Sequence, residues 1–227
     1  MLAFHFWSWN ASLALTSVAA SVVLVNVQPV IVATLSAAWL REAPNRRQWL
    51  GIALALLGAL LVAWNDRAAG SGGSGGRALL GDLLALTGAV TAALYYLVGR
   101  HLRQTLDLWP YVGLVYGACL AALLLLVLAG DVPVGGQPPR ELAIFAALAA
   151  GPMMLGHTGM NWALKYLPAY VVNLTVLGEP VGATLLAAVL PGIREVPPAL
   201  TVGGGALVLA GILLALPLRA RTGGAET

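Results

Sequence analysis

The sequence predicts an all-α polytopic membrane bundle of about eight spans with the inverted-repeat fold of a transporter. Two observations carry this prediction, an apolar composition and an internal duplication. Of 227 residues, 59% are hydrophobic and 9% charged, and mean hydropathy is +0.86. That is more apolar surface than a soluble core of this size can bury. When Gln28-Pro29 is laid on Glu179-Pro180, Val25 falls on Val176, Val30 on Val181, Leu35 on Leu186 and Ala37 on Ala188. After a short slip, Arg41-Glu42 falls on Arg194-Glu195. The stretch Gly51, Ala53, Leu54, Leu56, Gly58, Leu60 and Leu61 then falls on Gly204, Ala206, Leu207, Leu209, Gly211, Leu213 and Leu214.

Each span follows from a polar break in the apolar run, since roughly 20 apolar residues cross about 30 Å of hydrocarbon. The breaks predict spans near 2–16, 18–40, 48–65, 81–99, 108–129, 142–164, 169–190 and 199–218. The first 40 residues carry no Lys, Arg, Asp or Glu and break only around Thr16 and Ser17, which reads as two spans in a tight hairpin. A signal peptide would open on basic residues, and the first positive charge is Arg41. The connector NDRAAGSGGSGGRALLGD lacks the strand and the Lys-Ser/Thr of a phosphate loop and reads as a flexible linker. Pro44, Pro138-Pro139, Pro168 and Pro197-Pro198 stand near helix starts, where a missing amide does no harm.

The domain reading is therefore an incomplete first repeat of three spans over 1–66, an external linker over 67–80, a second repeat of five spans over 81–218 and a tail over 219–227. Cytoplasmic loops are enriched in Lys and Arg. One side collects Arg41, Arg46, Arg47, Arg100, Arg103, Lys165, Arg219 and Arg221; the other holds Arg67, Arg77, Arg140 and Arg194. The expectation is a multi-pass protein of the cytoplasmic membrane with its C-terminus in the cytoplasm. The net charge of +3 reflects this bias, and no basic stripe points to nucleic acid. From the Pro29 span to the Pro180 span the chain crosses an odd number of times, so the two copies point in opposite directions.

The stretch LVNVQPVIVATLSAAWLREAPNRRQWLGIALALLGALLVAW resembles the fourth and fifth helices of EamA-type permeases of the drug/metabolite transporter superfamily. GHTGMNWALKYLPAYVVNLTVLGEPVGATLLAAVL resembles their eighth and ninth, and the Gly203 to Leu216 region their tenth. The resemblance implies a ten-helix, five-plus-five inverted fold that moves small metabolites, often outward. Three spans before the connector depart from that pattern, and Met1 then stands inside what corresponds to the third helix. This raises the expectation of a start assigned too late, or of a fragment, in preference to a naturally reduced protein.

Glu179 is the leading site candidate. A mid-span acidic side chain costs about 2.5–3.5 kcal/mol to insert and belongs toward the bundle interior or water. Pro180 cannot donate to the Val176 carbonyl, which loosens the helix beside the charge. Glu179 could bind an amine-bearing solute or carry an exchanged proton; the competing reading is a structural hydrogen bond that holds the kink. Gln28 beside Pro29 is its repeat partner. His157 and Asn161, four apart and beyond the kink at Pro152, share a helical face. Thr87, Thr91 and Tyr95 form a second stripe, and His5, Ser8 and Ser12 a third, with His5 matching His157. The candidate solute-binding set is thus Glu179, Gln28, His157, Asn161, Tyr95 and Thr91, with kinks at Pro29, Pro180 and Pro152. Asn26 and Asn173 point away from the Gln28 and Glu179 faces by helical arithmetic.

Trp39, Trp49, Trp64, Trp109 and Trp162 lie near span ends, as interfacial anchors do. Gly113/Gly117, Gly178/Gly182, Gly51/Gly58 and Gly204/Gly211 would let backbones approach. The single Cys119 excludes an internal disulfide. No zinc-ligand spacing is present, no cofactor is implied, and no Ser-His or paired-carboxylate motif points to an enzyme. The expected partners are a small-molecule solute and the lipid bilayer, with a homo-oligomer left open. The functional reading is a secondary transporter working by alternating access; the alternative is a truncated, non-transporting component that packs with other helices.

Overall fold

The apolar runs fold into eight helical rods, seen in a computed structural model that describes residues 1–67, 76–130, 135–189 and 198–217. The glycine-rich part of the connector, the Arg194-Glu195 pair and the 219–227 tail lie outside the described residues. Helix α1 (Leu2–Leu13) turns into α2 (Val18–Val25), where the Ser17 hydroxyl caps the first turn by accepting from the Ala20 amide at 3.1 Å. Helix α3 (Gln28–Leu35) follows and ends in a π-helical turn, Ser36–Leu40. Helix α4 (Arg46–Arg67) opens on a reciprocal box. Asn45 Oδ1 accepts from the Gln48 amide at 3.0 Å, and Gln48 Oε1 accepts from the Asn45 amide at 2.9 Å.

Helices α5 (Gly76–Leu102) and α6 (Leu108–Ala129) come next. The following rod joins α7 (Pro139–Leu148), a π-helical stretch Ala149–His157 and α8 (Thr158–Ala163). Another joins α9 (Ala169–Leu174), a 3-10 turn Thr175–Gly178 and α10 (Glu179–Val189), and α11 (Ala199–Ala215) is last. The rods match the expected spans in number and order, although α5 already begins at Gly76, inside the expected linker. Among the described residues, four stretches are long and apolar enough to cross a membrane: Ala20–Leu40, Gly76–Leu102, Leu108–Ala129 and Pro139–Ala163. Ala169–Gly178 and Ala199–Ala215 are shorter and also apolar.

The interruptions fall at matching places in the two copies. Helix α3 starts at Gln28 and α10 at Glu179, each with proline as its second residue. A proline inside a continuous helix would lose a hydrogen bond and clash with the turn before it, so each helix stops and restarts there. Pro152 sits inside the π-helical stretch, where the widened turn accommodates the ring.

The tightest packing joins α4 to α11. A Cβ on Gly51 would lie 2.6 Å from the Gly211 carbonyl oxygen, and one on Gly58 would lie 2.5 Å from that of Gly204. The duplication equates Gly51 with Gly204 and Gly58 with Gly211, so each contact is the image of the other. Reciprocal contacts of this kind mark a two-fold relation, and the pairing of early residues with late ones makes the helices antiparallel. Gln48 reinforces the crossing, donating to the Ala215 carbonyl at 3.3 Å and accepting from the Tyr170 hydroxyl at 3.0 Å.

The turn after α1 presses on α5 in the same close manner, with a Cβ on Gly81 only 2.8 Å from the Thr16 backbone, while α1 itself passes a Cβ on Gly88 at 3.4 Å. The expected role of Gly113, Gly117, Gly178 and Gly182 is corrected. Nothing stands within 4 Å of a Cβ on Gly113, Gly117 or Gly182, and Gly178 meets only the tip of Ile212 at 3.7 Å. Their faces carry no described helix close enough to need glycine.

Gly58→Ala and Gly211→Ala should each lower stability by about 1–3 kcal/mol, because the added methyl meets backbone that cannot yield. Gly117→Ala should change it by less than about 0.5 kcal/mol. Unfolding titrations in mixed detergent micelles check the contrast.

Candidate solute cavity

The two matched breaks deliver Gln28 and Glu179 to one cavity of about 450 Å3 lined by residues of both copies. Helix restarts turn the first residue of α3 and of α10 toward the space between rods. Glu179 is accessible and lines this space, whereas Gln28 is only 4% exposed and its Oε1 is buried without a partner among the described residues. Trp9 Nε1, His157 Nδ1 and Thr201 Oγ1 are also buried and unpartnered, and all three residues line the same cavity. Each such group costs about 1–3 kcal/mol when left unsatisfied. All four lie just beneath the surface of this one space, on residues that line it.

Rings form much of the wall. Phe6, Tyr95 and Tyr96 line it, and the edge of Phe6 meets His157 with centroids 5.6 Å apart. His5 donates from Nδ1 to the Gly88 carbonyl at 2.9 Å, a bond that in the neutral ring leaves Nε2 as the acceptor. The cavity reaches toward the start of α2 and α11 and the end of α4, where Val22, Thr201 and Val62 line it.

The opposite end of the bundle is closed by arginines. Arg100 pairs with Glu42 at 2.7 Å and donates to the Leu164 and Lys165 carbonyls at 2.7 and 3.0 Å. Glu42 in turn accepts from the Ala169 amide at 3.4 Å, so one carboxylate joins the first copy to the second. Arg103, read from the sequence as a loop cation, is 2% exposed and donates to the carbonyls of Asn161, at 2.9 Å, and of Leu106. These guanidinium groups satisfy carbonyls that helix ends leave free.

A sequence model of the EamA-like transporter family matches residues 1–64 and 79–216. The chain belongs to the EamA-like transporter family. It is a multi-pass membrane protein of the drug/metabolite transporter superfamily, as its apolar rods require. No curated protein matches the sequence. A solved structure, described only as the crystal structure of a protein, is 22% identical with a TM-score of 0.79 over 94% of this chain and 72% of that one. That likeness shows the fold.

Within this EamA-like transporter the structure places the sequence candidates unevenly. Glu179, Gln28, His157, Tyr95 and Pro152 line the cavity. Asn161 does not: it is fully buried, accepting from the Tyr95 hydroxyl at 2.7 Å and donating to that of Tyr116 at 3.4 Å. It therefore holds Tyr95 from behind. Thr91 is outside the lining as well, its hydroxyl bonded back to the Thr87 carbonyl at 2.8 Å. Asn26, expected to point away, lines the cavity, because the break between α2 and α3 resets the helical phase and turn counting does not carry across it. Asn173 is fully buried outside the lining, as the arithmetic expected.

Trp9, Tyr96 and Thr201 were not singled out. Trp9 lies four residues from His5 on one face, a signal present in the sequence; nothing there distinguishes Thr201 from other span-end hydroxyls.

Tyr95→Phe should lower stability by about 1 kcal/mol and Asn161→Leu by about 1–3 kcal/mol. Because they break one shared bond, the double variant should match Asn161→Leu alone within about 0.5 kcal/mol rather than the sum of the two. A double-mutant cycle read by detergent unfolding measures this.

Proposed function

We propose that the protein is a secondary transporter that moves a small metabolite or drug-like solute across the cytoplasmic membrane by alternating access. The observation that carries this reading is the cavity where the two inverted copies meet, lined by residues of both and by the Glu179 carboxylate. Inverted copies can exchange conformations, which opens one central site to each side in turn. In this reading α4 and α11 act as the pivot, and the contact of Arg100 with Glu42 and the turn after α8 parts when the arginine-bearing end opens. That end, with the C-terminus, faces the cytoplasm by the excess of cations it carries. The outward direction of transport is the one the family resemblance implies.

Glu179 and Gln28 hold the solute in this mechanism, and His157 and Tyr95 shape the wall. A second reading, a component that packs against other helices, draws on the rod Pro139–Ala163, whose apolar surface is almost all exposed. Flux decides between them.

In proteoliposomes loaded with a metabolite mixture, Glu179→Gln should abolish efflux or its pH dependence, and flux unchanged at every pH would contradict the role given to Glu179. Gln28→Ala should cut flux by roughly tenfold, the worth of one hydrogen bond to a charged group, while leaving insertion intact. Flux equal to wild type would count against it.

A further inference from the structure

We propose that the cavity selects a protonated amine, with an N–H bond to donate, carried on an apolar, ring-bearing body that has no carboxylate. The inference rests on the reading of this cavity as the solute site and names the chemistry it recognises.

Charge gives the first argument. Among the described residues Glu179 is the one carboxylate in the lining, and no lysine or arginine lines the cavity. A solute amine there gains a charge-assisted hydrogen bond to the carboxylate. A solute carboxylate would be buried near a like charge with no cation to pair it, which apolar surroundings penalise heavily. The site therefore discriminates against amino acids with the same side chain.

The second argument comes from the repeat. Gln28 stands where Glu179 stands in the other copy, so the cavity pairs one carboxylate with one neutral amide. The amide adds no second charge, and a single cation balances the site. An ammonium that carries N–H bonds donates one of them to the Glu179 carboxylate. A quaternary ammonium has none to donate and gains only the attraction of its charge.

The remaining wall fixes the body. Phe6, Trp9, Tyr95 and Tyr96 bring rings to the cavity, which favour an apolar group and a cation over their faces. A volume of about 450 Å3 lies within the range of about 300–1,000 Å3 usual for sites that enclose drug-sized solutes.

Trp9 lies in the lining and so reports binding by its fluorescence. The test titrates the full chain in lipid nanodiscs at neutral pH with phenethylamine, its N,N,N-trimethyl derivative and L-phenylalanine. Phenethylamine should bind roughly tenfold or more tighter than either, the factor that one hydrogen bond to a charged group supplies. Glu179→Gln should weaken phenethylamine by roughly tenfold or more and bring it within about twofold of the trimethyl derivative. L-phenylalanine or the trimethyl derivative binding as tightly as phenethylamine to the wild type, or no binding by any of the three, overturns the proposal. The wild-type series decides this even where Glu179→Gln does not fold. Flux separates the two levels: an amine that binds but is not carried sinks transport and leaves the selectivity, whereas carriage of L-phenylalanine without phenethylamine sinks the selectivity and leaves transport.

Discussion

The backbone crossing of α4 and α11 at Gly51/Gly211 and Gly58/Gly204 sets how near the two copies come. Lipid tails solvate a leucine as well as another helix does, so helices in a bilayer associate through close packing and hydrogen bonds rather than through the hydrophobic effect. Glycine at four positions removes the side chains that would hold these axes apart. Because the duplication supplies the same spacing twice, one geometric solution serves both copies, and the antiparallel two-fold relation follows from the contact itself.

A second constraint makes the cavity polar. Matched prolines end α2 and the 3-10 turn before α10, and each restart begins with a polar residue, Gln28 or Glu179. Had the helices run on, these side chains would sit on continuous rods whose phase the flanking leucines and valines decide. The broken backbone instead presents them to the interior, where non-helical segments are tolerated because they line a cavity. The copies differ in charge at this point, so the pseudo-symmetric site is one-sided in its electrostatics. Closure at the other end relies on a different device, with Arg100 and Arg103 spending their donors on carbonyls at helix ends.

Much of this arrangement is legible in the residues alone. The eight rods follow from apolar runs and their polar breaks, and the inversion follows from an odd number of crossings between copies. Glu179, Gln28, His157 and Tyr95 were readable because a polar group within an apolar span has few places to go. Reasoning by turn counting failed where the helix was not regular: Asn26 enters the cavity because the phase resets after α2. It also failed where two polar groups satisfy each other, since the sequence does not say that Asn161 spends its amide on Tyr95 and Tyr116. Nor does it say which glycines meet backbone; Gly117 and Gly58 look alike until their neighbours are known.

The most direct test of the central claim, that inverted copies enclose a cavity around Glu179 closed at the arginine-bearing end, is the sidedness of access to it. Val22→Cys in a Cys119→Ala background places one thiol in the lining near the far end. In sealed vesicles of known orientation, a membrane-impermeant maleimide should modify it faster from the side opposite the arginine-bearing loops than from the arginine side. Equal or faster modification from the arginine side, or modification from neither side, would contradict the account.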